Sequence, residues 1–335
     1  MPSLEAINEM STPPSPPNIA ETKPEDQIIS GEAEAKPAPV EAPDVIDLSS
    51  GRELTESGAI SLAQARPARW IVIAGQVSSG KTTLLASLYE MFQWSPVDGF
   101  RFGGSTTLPA LEQLCHFSRI ASERVVPDTS RTPYSPTASY LHIRVCPIAE
   151  VSTAVDFLFT DVSGEMFEHA RTSTDDCKEL VFLRRAAAFL LVLDGEKAVR
   201  ADRRWAMVEE AKSLLQSCLD SSMLPEECRV TVVWSKIDYF AAVGASKELE
   251  EFRAEVERAF TAAFGHRISH FAFAEIAARP TKAPELDFGK GLPELLAGWV
   301  HDYSESEAMN LFPDPPSGTR ESELFAFRPS TETNP

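Results

Sequence analysis

The sequence predicts a three-layer α/β fold: a mostly parallel six-stranded sheet with one antiparallel edge strand, covered by helices on both faces. Three observations predict it. Short β-branched and apolar runs alternate along the chain with segments of helical spacing, the pattern of a parallel sheet joined by crossover helices. Several runs, such as residues 186–193, are apolar throughout, so both of their faces are expected to be covered. Two runs, residues 141–146 and 155–160, are too close in sequence to be joined by a crossover helix, and they are expected to form a hairpin.

In chain order, Trp70-Ile71-Val72-Ile73-Ala74 reads as a buried strand. Residues 82–92 follow as a helix, with Leu84, Leu85, Leu88 and Met91 at helical spacing. A long irregular stretch precedes the hairpin. After it come a strand over 188–194, a helix over about 200–219, a strand over 230–235, a charged helix over about 246–264, a strand over 271–276 and a last helix over 292–303. In open sheets of this kind ligands collect at the carboxyl ends of the strands. Motifs with chemistry are therefore sought there.

The chain has 335 residues, 43% hydrophobic and 24% charged, with a formal net charge of −19. Affinity for a phosphate backbone needs clustered Lys and Arg, so nucleic acid is excluded as a partner. The longest strongly apolar run, residues 186–193, is far shorter than the roughly 20 residues of a spanning helix. No apolar stretch follows Met1 as a signal peptide would, and a cytoplasmic protein is expected. Cys115, Cys146, Cys177, Cys218 and Cys228 form no Cys-x-x-Cys and read as reduced, mostly buried thiols.

Charge also marks boundaries. Residues 1–66 hold 12 acidic and 4 basic residues amid Pro, Ala and Ser, and are expected to be a disordered tail in which Val45 to Leu48 form one apolar island. Residues 305–335, with 6 acidic and 2 basic residues, read as a flexible C-terminal tail carrying Leu324, Phe325 and Phe327. Residues 67–304 remain as one domain.

Directly after the first strand stands Gly75-Gln76-Val77-Ser78-Ser79-Gly80-Lys81-Thr82, of the form G-x-x-x-x-G-K-T, with Thr83 continuing into the helix. The two glycines let the backbone turn its N–H groups towards phosphate oxygens. Lys81 adds a point charge at the β and γ phosphates, and the Thr82 hydroxyl can ligate Mg²⁺. The helix that follows directs its positive N-terminus at the same anion.

At the end of the fourth run, Asp161-Val162-Ser163-Gly164 gives a D-x-x-G pattern. Asp161 can hold a magnesium-bound water and the Gly164 amide can bond the γ-phosphate, so the loop can respond to its loss. Ser235-Lys236-Ile237-Asp238 follows the 230–235 strand and is similar to an N-K-x-D element with Ser in place of Asn. The Asp238 carboxylate can accept from guanine N1–H and its exocyclic amine, while Lys236 can lay its stem over the base. Losing the usual Asn weakens the bracing between loops. Glu275-Ile276-Ala277-Ala278-Arg279 is similar to an E-x-S-A-K element, with Ala277 for Ser and Arg279 for Lys, in which the Ala278 N–H can bond guanine O6.

With these four elements in order, residues 70–303 resemble the P-loop GTPases of the translation-factor-related class, with Ras-like organisation. The resemblance implies a P-loop NTPase fold, GTP or GDP as ligand, Mg²⁺, and switch loops that act on a protein partner, another GTPase or an effector. More narrowly, the stretch from Gly99-Phe100-Arg101-Phe102-Gly103-Gly104 to Leu108, Arg131-Thr132-Pro133, and Asp161 to Phe167 resemble the bacterial double-GTPase domain family. That resemblance implies a place in a multi-component bacterial system.

Two departures bear on mechanism. Glu165 stands where Ras-like proteins carry a water-orienting Gln; it can accept from water but cannot donate to the phosphoryl oxygens, and slow turnover is expected. The switch threonine has four candidates, Thr106, Thr107, Thr132 and Thr137, in the long stretch before the hairpin. Thr132 is favoured as the Mg²⁺ ligand, with Arg131 beside it as an arginine finger in cis. Two other readings stay open: a scaffold that binds nucleotide without turning it over, and an ATP-using P-loop protein. His142, on a strand, reads as a satisfied or exposed histidine and not a metal ligand.

Overall fold

The computed structural model describes residues 51–116, 137–149, 154–244 and 246–301. Its strands are β1 (Ala68–Gly75), β2 (Phe100–Gly104), β3 (Ser139–Pro147), β4 (Val155–Asp161), β5 (Ala186–Asp194), β6 (Arg229–Ser235) and β7 (His270–Glu275). They form one seven-stranded sheet in the order β2-β3-β4-β1-β5-β6-β7. β1 pairs in parallel with β4 and β5, and the parallel ladder continues through β6 to β7. β3 is antiparallel to both β2 and β4, so the expected hairpin turns the sheet at this end.

The central strand explains why residues 70–74 are apolar at every position. Trp70, Val72 and Ala74 enter one core, and Ile71 and Ile73 enter the other. Alternation along a strand sends neighbours to opposite faces, so a strand covered twice has no position left for a polar residue. The first face is covered by α1 (Glu56–Ala65), α4 (Gly164–Ala170), α5 (Thr174–Glu179), α7 (Arg204–Asp220) and α9 (Lys247–Phe264). The second is covered by α2 (Lys81–Trp94), α3 (Leu108–His116) and α10 (Leu292–His301). Two short helices, α6 (Gly195–Ala198) and α8 (Asp238–Val243), begin at or just past the ends of β5 and β6.

Three features depart from the sequence expectations. The sheet has seven strands and not six, because Phe100–Gly104 forms β2 within the stretch expected to be irregular. Its two terminal glycines masked the strand. Gly103 lies so close to β3 that a Cβ there would stand 2.5 Å from Cys146 Sγ, which is why the position carries no side chain. α3 follows in the same stretch and buries Leu111 and Cys115.

The third departure concerns the N-terminal boundary. Residues 51–66 do not belong to a disordered tail: Glu56–Ala65 is a helix whose Ala59, Leu62 and Ala63 are buried. Thr55 caps it by accepting from Gly58 N–H at 3.3 Å, and Leu54 exchanges two backbone hydrogen bonds with Tyr140. Composition taken over the whole of 1–66 is dominated by the residues before it and hid this short amphipathic segment. The apolar island at 45–48 and the residues from 302 onward, including Leu324, Phe325 and Phe327, lie outside the described residues. Among the described residues, no helix is long and apolar enough to cross a membrane.

Candidate functional site

The strand ends do gather the motifs. Residues 75–82 carry the chain from β1 into α2 through two left-handed positions, Ser78 at φ 64° and Gly80 at φ 94°. The second is one that only glycine adopts without cost. Ser79 is buried, with its N–H on Gln76 O at 3.3 Å. Lys81 Nζ donates to Gly75 O at 2.9 Å and to Gln76 O at 3.0 Å, so its ammonium lies across the loop's own carbonyls. Burial brings the Lys81 pKa down to about 8, against the opposing pull of Asp161 and Glu168, while Lys197 lowers it further. Thr82 and Thr83 sit in the first turn of α2, where N–H groups have no helical acceptor and an anion is favoured.

Asp161 closes β4 and Gly164 opens α4, bringing the D-x-x-G loop against the phosphate loop. A Cβ on Gly164 would lie 2.6 Å from Val77 N, so the two loops touch at a point where only hydrogen fits. Glu165 stands in the first turn of α4, and Glu168 follows on the same helix. Ser139 is the register partner of Asp161 and donates its hydroxyl to Asp161 O at 3.2 Å. Thr137 therefore lies just ahead of the point where β3 reaches the site. Arg131 and Thr132 lie outside the described residues.

Thr106 and Thr107 are placed elsewhere, against His142 on β3. Thr106 N–H donates to His142 Nδ1 at 2.9 Å, and His142 Nε2 meets Asp156 Oδ1 at 2.8 Å. Because Nδ1 accepts, the ring proton is on Nε2. Thr107 is fully buried and its hydroxyl accepts from His142 N–H at 2.9 Å. His142 pairs with Leu158, well down β4 from Asp161, so both threonines latch the loop after β2 to β3. Of the two expectations for the histidine, satisfied or exposed, the structure shows the first: it is buried with both ring nitrogens bonded.

At the other end of the site, the Ser235 hydroxyl shares its proton between Ser79 O at 2.7 Å and Leu193 O at 3.1 Å. The brace expected to be weakened by the loss of Asn is thus made by serine, across to the phosphate loop itself. Lys236 takes a left-handed backbone (φ 52°) and its ammonium reaches Asp194 Oδ2 at 3.1 Å and Glu196 Oε2 at 3.2 Å. Burial pushes the Lys236 pKa down, but these two carboxylates outweigh it and the net shift is upward. Asp238 is buried, and its Oδ2 accepts from the Thr281 and Lys282 N–H groups at 2.9 and 3.0 Å. Among the described residues no donor reaches Oδ1, which leaves that oxygen open as an acceptor.

The last motif divides. Ala277 N–H donates to Lys290 O at 3.0 Å and is engaged in the fold, whereas the Ala278 N–H has no backbone acceptor among the described residues. Arg279 pairs with Glu90 and lies 4.9 Å from the Phe288 ring, so its charge is held by α2.

Sequence reasoning missed the carboxylates that orient Lys236. Asp194 ends β5, is buried, and also caps α6 by accepting from Glu196 N–H at 3.0 Å. Its position at the carboxyl end of an apolar strand, ahead of a glycine, was the signal available. Missed too was the polar chain behind the phosphate loop. Lys197 Nζ donates to Gln76 Oε1 at 2.5 Å, Gln76 Nε2 donates to Glu210, and Arg171 pairs with Glu210 at 2.7 Å. These contacts tie the loop to α7 and to the end of α4.

The sequence model of the Double-GTPase 2 family matches residues 69–300, which spans every element of the site. The chain belongs to the Double-GTPase 2 family. Membership, together with a P-loop at the end of β1, supports a GTP-binding protein for this double-GTPase domain. No curated protein matches its sequence. Among solved structures it is similar to the Roco2 RocCORdC protein of Methanosarcina barkeri bound to GDP, at 13% identity and a TM-score of 0.35, covering 75% of this chain and 51% of that one. It is also similar to the GTPase-like domain of Saccharomyces cerevisiae Ski7 bound to GTP, at 15% identity and a TM-score of 0.40, covering 76% and 53%. The double-GTPase chain therefore spans about half the length of these structures.

Proposed function

We propose that this double-GTPase domain binds GTP and GDP with Mg²⁺, hydrolyses GTP slowly, and acts as a switch on a protein partner in a multi-component bacterial system. The observation that carries the reading is the 2.7 Å bond from Ser235 Oγ to Ser79 O. It joins the phosphate cradle to the loop bearing Lys236 and Asp238, so one ligand with a triphosphate and a purine would satisfy both. The hydroxyl of Thr82 and the carboxylate of Asp161 are hard oxygen donors of the kind Mg²⁺ takes, and the ion would neutralise phosphate charge there.

In this reading the backbone N–H groups of residues 76–82 and the Lys81 ammonium hold the phosphates, and Lys81 leaves its parking bonds on Gly75 and Gln76 to do so. Asp238 accepts from the guanine edge through Oδ1, and the Ala278 N–H donates to guanine O6. The Gly164 amide meets the terminal phosphate, and its contact with Val77 is how loss of that phosphate reaches α4. Glu165 brings a negative charge where a neutral donor would speed the reaction, which is why turnover is slow. For the switch threonine, register supports Thr137 beside the sequence-favoured Thr132, and Arg131 is the finger in cis.

Glu165 also favours a second reading, a nucleotide-bound scaffold without turnover. Single-turnover hydrolysis of GTP with and without Mg²⁺ separates the two: slow Mg²⁺-dependent release of phosphate supports the first, and bound GTP that persists intact supports the second. Equal affinity for ATP and GTP overturns both.

A further inference from the structure

A pair of thiols lies in the first core, outside every motif. Cys177 and Cys218 place their sulfurs 3.7 Å apart, and both residues are wholly buried. Cys177 belongs to α5, which follows the D-x-x-G loop and α4, and Cys218 lies near the end of α7. The Ser221 hydroxyl donates to Cys177 Sγ at 3.3 Å and to Cys218 O at 3.1 Å, sharing one proton between them. All five cysteines are free and buried, and the Cys177 and Cys218 sulfurs are in contact.

We propose that Cys177 and Cys218 form a reversible disulfide when a peroxide oxidises them, fastening α5 to α7 and restraining the segment that trails the D-x-x-G loop. The bond needs the sulfurs to close from 3.7 Å to about 2 Å. The two thiols have unequal characters. A Cys177 thiolate can accept from the Cys218 S–H and the Ser221 O–H, which lowers its pKa against the opposing effect of burial, while Cys218 is pushed upward. Cys177 is thus the attacking sulfur.

In the first step the Cys177 thiolate attacks one peroxide oxygen; the O–O bond breaks, a sulfenic acid forms, and hydroxide leaves and takes up a proton. In the second, Cys218 sulfur attacks Cys177 Sγ, the S–O bond breaks, and the departing hydroxide leaves as water with the Cys218 proton. Overall two thiols and one hydrogen peroxide give one disulfide and two waters. Access comes through α5 itself. It has 6 residues and Cys177 is the one it buries, so little apolar area opposes its transient opening.

The site does not depend on what the nucleotide is, so its failure is distinct from failure of the GTP reading. The test treats the full chain with hydrogen peroxide, alkylates the remaining thiols, digests it without reductant and analyses the peptides by mass spectrometry. The expected product is a peptide linked through Cys177 and Cys218 with loss of two hydrogens, reversed by a dithiol reductant. Cys218→Ser is expected to leave a Cys177 sulfenic acid trapped by dimedone, and Ser221→Ala is expected to slow linkage about threefold while keeping both sulfurs. Amide exchange across residues 164–180 is expected to slow about tenfold in the linked form. Linkage through other cysteines, or two unmodified thiols after prolonged treatment with excess peroxide, overturns the proposal. A disulfide that leaves exchange across α4 and α5 unchanged overturns the restraint.

Discussion

The two ends of the site are built differently. At the phosphate end the working parts are backbone: left-handed turns at Ser78 and Gly80, the first turn of α2, and a glycine at 164 that admits the neighbouring loop. At the base end they are side chains held by partners from far along the chain: Lys236 by Asp194 and Glu196, and Asp238 by the amides of Thr281 and Lys282. The comparison teaches why one motif is complete in this sequence while the others carry exchanges at Ser235, Ala277 and Arg279. A backbone cradle needs glycine at fixed points, whereas a side-chain acceptor can be braced in more than one way. Ser235 illustrates the second case, reaching Ser79 O with a hydroxyl where an amide is usual.

The largest effect is expected from breaking the phosphate end. Lys81→Met removes the ammonium that spans Gly75 and Gln76 and is expected to weaken GTP and GDP binding about 100-fold, measured by equilibrium titration. The fold should persist, because loss of a buried ammonium relieves a desolvation cost. Thermal unfolding at pH 7 at or above that of the parent checks this.

At the base end, Asp238→Asn is expected to reverse preference without unfolding the loop, since an Asn carbonyl still accepts from Thr281 and Lys282. GTP affinity should fall about 10- to 100-fold and xanthosine triphosphate should gain, as its ring offers an acceptor where guanine offers an amine. Competition of the two nucleotides against each variant measures it. Loss of guanine binding without gain for xanthine would mean that Oδ1 does not face the base.

Ser235→Ala sharpens the comparison by cutting the bond between the two ends. The hydroxyl's loss leaves two buried carbonyls short of a donor and is expected to cost about 1 kcal/mol of stability, read by denaturant unfolding, with both phosphate and base affinity reduced together. Ser235→Asn, by contrast, is expected to restore most of the affinity.

The smallest effect is one of pH. In the folded chain Lys81 has a pKa of about 8 against 10.5 ordinarily, so above pH 8 the unfolded chain binds the proton more readily. Stability of the free protein therefore rises as pH increases through that interval. Nucleotide binding needs the ammonium, so it is strongest below pH 8, declines above it, and near pH 8.5 draws a fraction of a proton from solution. Calorimetry in buffers of different ionisation enthalpy detects that uptake.

Much of the fold was legible because its elements obey local rules. The both-face burial of β1 and β5, the stripe of α2 and the close hairpin of β3 and β4 each leave a pattern within a dozen residues. β2 and α1 were not legible for opposite reasons. The glycines of β2 carry no pattern, and the Ala59, Leu62 and Ala63 face of α1 was diluted by the composition of the residues before it. In the site, glycine and lysine spacing announced the cradle, but no spacing announced that Asp194 would hold Lys236, since their pairing exists only where β5 and β6 lie side by side. The threonine candidates show the same limit. Thr107 looks like any other threonine in the sequence, and only the structure shows it buried against His142.

The central claim, that one purine nucleotide bridges a backbone cradle and the Asp238 carboxylate, is tested most directly by titrating the full chain with GTP and with ATP at millimolar Mg²⁺. The account predicts GTP at least about tenfold tighter, a difference of about 1.4 kcal/mol. Equal affinities, or retention of neither nucleotide, would contradict it.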